Sequence, residues 1–302
     1  MEIQDIQGGV EVATQGVNAL SKLASAIGEI YYIFGGKSRE VRQLADANAY
    51  ASIVTAETEN KVAMIKAQGA DKVAQFVLAK ESRKMQNTSN VIEKATKCFE
   101  PDEIVTCEQI SQNWLSRFFS IAEDISDNDL QNLWAKILAG EVKQPKSYSL
   151  RTLDLLRNIT SDEAELFLIA SKLYLANNFI CTEDSFFSMQ DRWILNDAGL
   201  INEEDLVKQW NVNPHSKLEV LLNEEYLLVL HNDSDKIVEC STDVRKLTKA
   251  GVEILSLIKR TTDNNFLTKL VAHLKSKGIN RVVKHEIAQY EPCIYKMHGI
   301  EL

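Results

Sequence analysis

Proline is scarce in this sequence, and its scarcity favours helices. Only 4 of the 302 residues are proline and 12 are glycine, whereas proline averages about 5% of residues in globular proteins. Proline and glycine are the residues that most strongly interrupt helices. Residues 37–100 contain no proline at all. The composition therefore predicts a mainly α-helical chain, and its hydrophobic share of 45% is enough for a sizeable core.

The spacing of apolar residues divides the chain into four parts. Each part has its own balance of apolar, small and charged residues. In chain order we expect an amphipathic N-terminal helix (1–36), a long alanine-rich helical arm (37–100), a helical bundle (101–176) and a small α+β domain (177–302).

An apolar stripe marks the N-terminal helix. Its members recur every three or four residues, as one face of a helix requires: Leu20, Leu23, Ile27, Ile30 and Phe34. Two interpretations remain open. The stripe either packs on the rest of the protein or on a second copy, or it inserts into a membrane surface. The polar face of this helix has few Lys or Arg residues, which counts against insertion.

The helical arm has only a thin apolar stripe. Helices obtain most of their stability from packing an apolar face, so this arm is not expected to be stable alone. We expect it to form a coiled coil or an extended hairpin. It would pack against the C-terminal half of the chain or against other copies of the protein.

Helix boundaries are clearest in the third part. Ser126 with Asp129 three residues later predicts the start of a helix, and Gly140 is placed to end it. Thr160 with Glu163 predicts the start of another helix by the same pattern.

The last part combines helical and strand-like segments. Residues 226–230 and 236–240 are apolar runs on either side of a polar pentapeptide, which predicts a β-hairpin. A Leu-x-x-Ala-Gly-Leu-Ile sequence (195–201) precedes the hairpin, and Leu-Thr-x-Ala-Gly (247–251) follows it. This arrangement resembles the winged-helix family. Such domains often bind DNA, and many serve only as protein contacts.

Charge is distributed unevenly over a chain of formal net charge −9. Residues 178–243 carry 14 acidic and 4 basic residues, a net of −10, and residues 244–302 carry 5 acidic and 11 basic residues, a net of +6. Segments of opposite sign attract each other within one domain or between subunits, although a solvated face is commoner. Because phosphate backbones require positive surface, nucleic acid is a disfavoured partner.

Motifs of known catalytic chemistry are missing from the sequence. There is no GxxxxGK[ST], GxGxxG, GxSxG or HExxH pattern, and the five histidines are scattered. We therefore expect no catalytic, cofactor or metal site, and we favour a non-enzymatic function. The five cysteines form no CxxC pair, which predicts reduced thiols and a cytoplasmic protein, with peripheral attachment to the inner membrane as the alternative. No secretory signal or run of about 18 apolar residues is expected.

A family resemblance starts in the third part. Residues 125–141 read ISDNDLQNLWAKILAGE, and Pro145, Ser147, Ser149–Leu153 and Asp162–Phe167 continue the pattern. These motifs resemble the signature of an uncharacterised bacterial family, number 2806 in the series of domains of unknown function. The resemblance implies a bacterial protein, often associated with mobile elements, and an association with phage defence. It implies no established activity and supplies no catalytic residues.

Together these features predict a homo-oligomeric interaction protein. Its expected partners are further copies of itself and an unidentified protein. An Arg near a helix N-terminus gains nothing from the helix dipole, so Arg151 is expected to pair with a carboxylate such as Glu141 or Asp154, or with one on a partner. The basic residues expected to contact a partner are Arg151, Lys275, Lys277, Arg281 and Lys284. A membrane-active effector is the alternative function, and a nucleic-acid-binding protein is a further alternative.

Overall fold

The computed structural model describes residues 16–33, 58–64, 71–222, 226–258, 261–290 and 293–302. The chain divides into two compact units, Met1–Leu150 and Arg151–Leu302. The finer division into four parts stays a prediction.

The first unit is mostly helical. Residues 58–64 are helical, and the labelled elements are β1 (Val17–Asn18), α1 (Ala19–Ile33), α2 (Asp71–Thr96), β2 (Ile104–Val105), α3 (Gln112–Ala122) and α4 (Asn128–Lys143). α2 packs along α4 and also contacts α3, while α1 packs on α3 and α4. Aromatic rings fill the core between α3 and α4: Trp114, Phe118, Phe119 and Trp134. The two short strands pair antiparallel beside α1.

Two details of α4 differ from the sequence-based prediction. Its N-cap is Asp127, whose carboxylate accepts the backbone N–H groups of residues 129 and 130, whereas the Ser126 hydroxyl accepts a hydrogen bond from Asn87. Gly140 does not end the helix, which continues to Lys143. A Cβ at Gly140 would lie 2.8 Å from the Tyr148 ring, so glycine serves close packing there.

The second unit combines helices with most of the strands. Its elements are α5 (Leu150–Asn158), α6 (Ser161–Ser171), β3 (Tyr174–Leu175), β4 (Phe179–Cys181), α7 (Met189–Asp197), β5 (Leu206–Val212), β6 (Ser216–Leu222), β7 (Tyr226–Asn232), β8 (Val238–Lys246), α8 (Lys249–Leu255), α9 (Asn264–Ser276), β9 (Arg281–Tyr290) and β10 (Cys293–Glu301). The predicted capping pair Thr160 and Glu163 is confirmed, since each side chain bonds the other's backbone at the start of α6.

The strands of this unit run antiparallel in the order β10-β9-β7-β6-β3-β4-β8-β5. They form two four-stranded halves joined by the single pair Leu175 and Leu222. The protein is therefore mixed α/β, and the prediction of a mainly α chain with a small C-terminal α+β domain is wrong. The physical reason is that proline lacks the backbone N–H that a central strand needs, so proline is rare in central strands as well as in helices. Its scarcity therefore did not discriminate between the two.

The predicted hairpin of residues 226–230 and 236–240 is also wrong. β7 pairs with β6 and β9, whereas β8 pairs with β4 and β5. The fully buried amide of Asn232 donates hydrogen bonds to the carbonyl oxygens of Val212, Asn213 and Lys236. These bonds hold the end of β7 against the β5–β6 turn and the segment that enters β8. The winged-helix resemblance, which included this hairpin, is unconfirmed.

Candidate interaction surfaces

The predicted stripe on α1 is only partly available at the surface. Leu23 is 2% exposed and Ile27 is also buried, on a helix that packs against α3 and α4. Leu20 is exposed. The Ile30 side chain and Phe34 lie outside the described part of the chain. Insertion of α1 into a membrane would therefore first require Leu23 and Ile27 to leave the interior of the first unit.

Another exposed apolar surface occurs on α2. The C-terminal half of this helix is interior, with Val91, Ile92 and Ala95 buried. In the N-terminal half, Val73 is 54% exposed and Phe76 is 68% exposed. Residues three apart lie on the same side of a helix. We call Val73 and Phe76 the front face of α2.

A small pocket separates α1 from residues 107–110. Its volume is about 240 Å³, below the range of about 300–1,000 Å³ that is usual for small-molecule sites. Lys22 Nζ donates a hydrogen bond of 2.9 Å to the Thr106 carbonyl oxygen. Burial lowers the pKa of Lys22, and the nearby Glu108 and Cys107 oppose this effect. The lysine therefore ties α1 to the segment after β2.

The five predicted basic residues differ in their contacts, and their role as a partner surface stays a prediction. Arg151 is exposed in the first turn of α5, and Lys277 is exposed at the end of α9. Lys275 Nζ donates to the backbone oxygen of residue 302. Arg281 lies 3.9 Å from Glu301 and Lys284 Nζ lies 4.3 Å from the centre of the Tyr226 ring. Three of the five thus have partners within their own unit.

No group of three or more His, Cys, Asp or Glu residues in the described ranges is arranged to hold a metal ion.

None of the helices described is both long and apolar enough to cross a membrane.

The described cysteines differ in accessibility. Cys107 is exposed, whereas Cys181 is buried and its Sγ lies 3.3 Å from the Thr242 hydroxyl. Burial raises the pKa of the Cys181 thiol to about 11. Because the thiolate is the reactive form, we expect iodoacetamide at pH 8 to label Cys107 and to spare Cys181 until the chain is unfolded. Peptide mass mapping checks this result, and labelling of Cys181 in the folded chain would contradict it.

These observations define a mixed α/β protein with a helical unit and a sheet-containing unit. Residues 71–180 match the model of the family described as "Protein of unknown function (DUF2806)". The predicted family resemblance is therefore confirmed over the segment from the start of α2 to β4. Searches of curated proteins and of solved structures gave no match for the chain.

Sequence reasoning did not select two exposed apolar surfaces that the structure presents. One is the front face of α2, and the other is formed by Met189 and Trp193 on α7. Their helical spacings of three and four residues were visible in the sequence. The same spacings also describe buried faces, so only the tertiary structure separates exposed members from buried ones.

Proposed function

We propose that this protein is a non-enzymatic interaction protein that self-associates through the front face of α2. The observation that carries the proposal is the exposure of Val73 and Phe76 on a helix whose other half is built into the core of the first unit. Aromatic residues on a rigid helix are typical anchors of protein interfaces. A symmetric dimer uses the same patch twice, so one such face is sufficient.

The family resemblance and the cysteines motivate a proposal for the wider role. We propose a cytoplasmic protein because the described cysteines are free thiols. The association of the resembled family with phage defence motivates the further proposal that the assembly serves a defence response. The membrane-active and nucleic-acid-binding alternatives stay predictions without a specific supporting observation.

Replacing Phe76 by glutamate tests the proposed dimer. We expect the dissociation constant to rise by about tenfold or more, because a charge replaces the aromatic ring that the dimer interface would cover. The measurement is sedimentation equilibrium of the full chain at several concentrations. Gln75→Glu is the matched control, since it adds the same charge at an exposed neighbouring position of α2.

Two outcomes would contradict the proposed dimer. A wild-type chain that is monomeric at tens of micromolar would refute self-association. An oligomer that is unaffected by Phe76→Glu would place the interface elsewhere.

A further inference from the structure

The second unit carries an aromatic surface on α7. Met189 is 57% exposed and Trp193 is 60% exposed. They are four residues apart, so they lie side by side on one face of the helix. The other three tryptophans of the sequence, Trp114, Trp134 and Trp210, are buried. Trp193 is thus the exception among the tryptophans, and large exposed apolar side chains in a contiguous patch are typical of interaction sites.

The inner side of α7 is held by buried residues and by hydrogen bonds to the rest of the second unit. Leu195 and Arg192 are buried. The Arg192 guanidinium donates hydrogen bonds to the Thr182 carbonyl oxygen and to the Asp184 carboxylate. At the N-terminus, Ser188 and Asp191 form a capping box. Met189 and Trp193 are therefore presented to solvent by a helix that is held at its end and along its inner face.

Acidic residues occur on α7 and dominate the segment of sequence that contains it. Asp197 is exposed one turn beyond Trp193, and the last turn of α7 contains no basic residue. A carboxylate at this end adds to the negative end of the helix dipole, which is unfavourable unless a cation is nearby. The segment 178–243, which contains α7, has a net charge of −10. An incoming positive charge would relieve this repulsion.

The neighbouring helix α6 also has exposed apolar residues. α6 packs against α7, and its outward residues Leu168 and Ile169 are exposed, as is Glu165. The second unit thus offers apolar anchors on two packed helices, together with exposed carboxylates on both. This combination matches the chemistry of grooves that receive amphipathic helices.

We propose that the surface of Met189 and Trp193 docks a cationic amphipathic helix of a partner protein. The apolar face of that helix would cover Met189 and Trp193, and its Lys or Arg residues would face Asp197 and Glu165. This proposal concerns the second unit and does not depend on self-association through α2. The prediction that Lys275, Lys277, Arg281 and Lys284 contact a partner stays a separate prediction.

Trp193 itself supplies the readout of the first experiment. The probe is a 14-residue peptide of leucine and lysine in a helical amphipathic pattern, and the comparison peptide has glutamate at every lysine position. Because three tryptophans are buried, a blue shift of the emission on binding reports on Trp193. We expect the lysine peptide to produce the shift and the glutamate peptide to produce none, with binding that weakens as salt increases.

Variants assign the binding to this surface. Using anisotropy of a labelled lysine peptide, we expect Met189→Ser and Asp197→Lys each to weaken binding by about tenfold. Glu239→Lys is the matched control, because it makes the same charge change at an exposed position of β8. Circular dichroism verifies that each variant is folded.

Several results would overturn the proposal. One is the absence of lysine-peptide binding, and another is binding that leaves the Trp193 emission unchanged. Equal losses for Asp197→Lys and Glu239→Lys would show that only net charge matters. A blue shift with phosphatidylcholine–phosphatidylglycerol vesicles but not with the peptide would assign the surface to lipid instead.

Discussion

Replacing Glu141 by alanine is expected to lower the free energy of unfolding of the first unit by about 3 kcal/mol. Glu141 is 2% exposed. Its two carboxylate oxygens accept the backbone N–H groups of Lys146 at 2.6 Å and Tyr148 at 3.1 Å. Alanine would leave both backbone donors without this acceptor in the loop after α4. Urea unfolding of the full chain measures the change, and hydrogen exchange assigns it to the first unit.

Glu108→Ala is the matched control for this prediction. Glu108 also contacts residue 146, through a bond of 2.5 Å to the exposed Lys146 ammonium group. An exposed ion pair contributes about 0–1 kcal/mol, so its loss should have little effect. Glu141→Gln keeps one acceptor oxygen and should be intermediate. Equal costs for Glu141→Ala and Glu108→Ala would contradict the role given to the buried carboxylate.

The loop after α4 contacts two residues of the family signature, Gly140 and Glu141. The ring of Tyr148 covers Gly140, where a side chain would collide with it. The Trp114 indole N–H donates a 2.8 Å hydrogen bond to the Tyr148 carbonyl oxygen. Glu141 therefore holds the backbone of a loop that packs against α3 and α4. Gly140 and Glu141, which both belong to the signature, therefore help to organise the fold.

Local sequence patterns correctly predicted helices such as α4 and the start of α6, which depend on interactions between residues close in sequence. α4 has apolar residues at helical spacing, and the capping residues of α6 bond within one turn of each other. Such signals act over a few residues and depend little on the rest of the fold. The identity of the α4 N-cap was nevertheless off by one residue, because Ser126 is bonded to Asn87, which is distant in the sequence.

Strand pairing could not be predicted in the same way. β7 and β8 are adjacent in the chain, yet they belong to different halves of the sheet. The deciding contacts join residues far apart in sequence, such as Leu228 with Lys284 on β9. The exposure of Phe76 and Trp193 is likewise a property of what packs around them. Periodicity identifies the face of a helix on which they lie, and it does not reveal whether that face is covered.

Replacing Gly251 by alanine is expected to lower the free energy of unfolding of the second unit by more than about 3 kcal/mol. An ideal Cβ at this position would lie 2.1 Å from the Leu200 carbonyl oxygen. That oxygen cannot easily withdraw, because it accepts the backbone N–H of Thr248 at 3.0 Å. Thr248 also caps α8 by accepting the Gly251 N–H, and its hydroxyl donates to the Gly199 carbonyl oxygen. The overlap is therefore with backbone that several bonds hold in place.

Whether Gly251→Ala raises or lowers the free energy of unfolding shows which of two opposing factors, tertiary packing or helix propensity, is larger. Alanine is about 1 kcal/mol more favourable than glycine in a helix interior, so propensity alone predicts that Gly251→Ala stabilises α8. Gly278→Ala is the informative control: its φ of +106° disfavours any side chain, but the added Cβ would meet its nearest neighbour at an ordinary 3.6 Å. Gly278→Ala should lower the free energy of unfolding by about 1 kcal/mol. Urea unfolding should therefore rank Gly251→Ala as the more damaging change, and a stabilised Gly251→Ala would show that α8 can move away from Leu200.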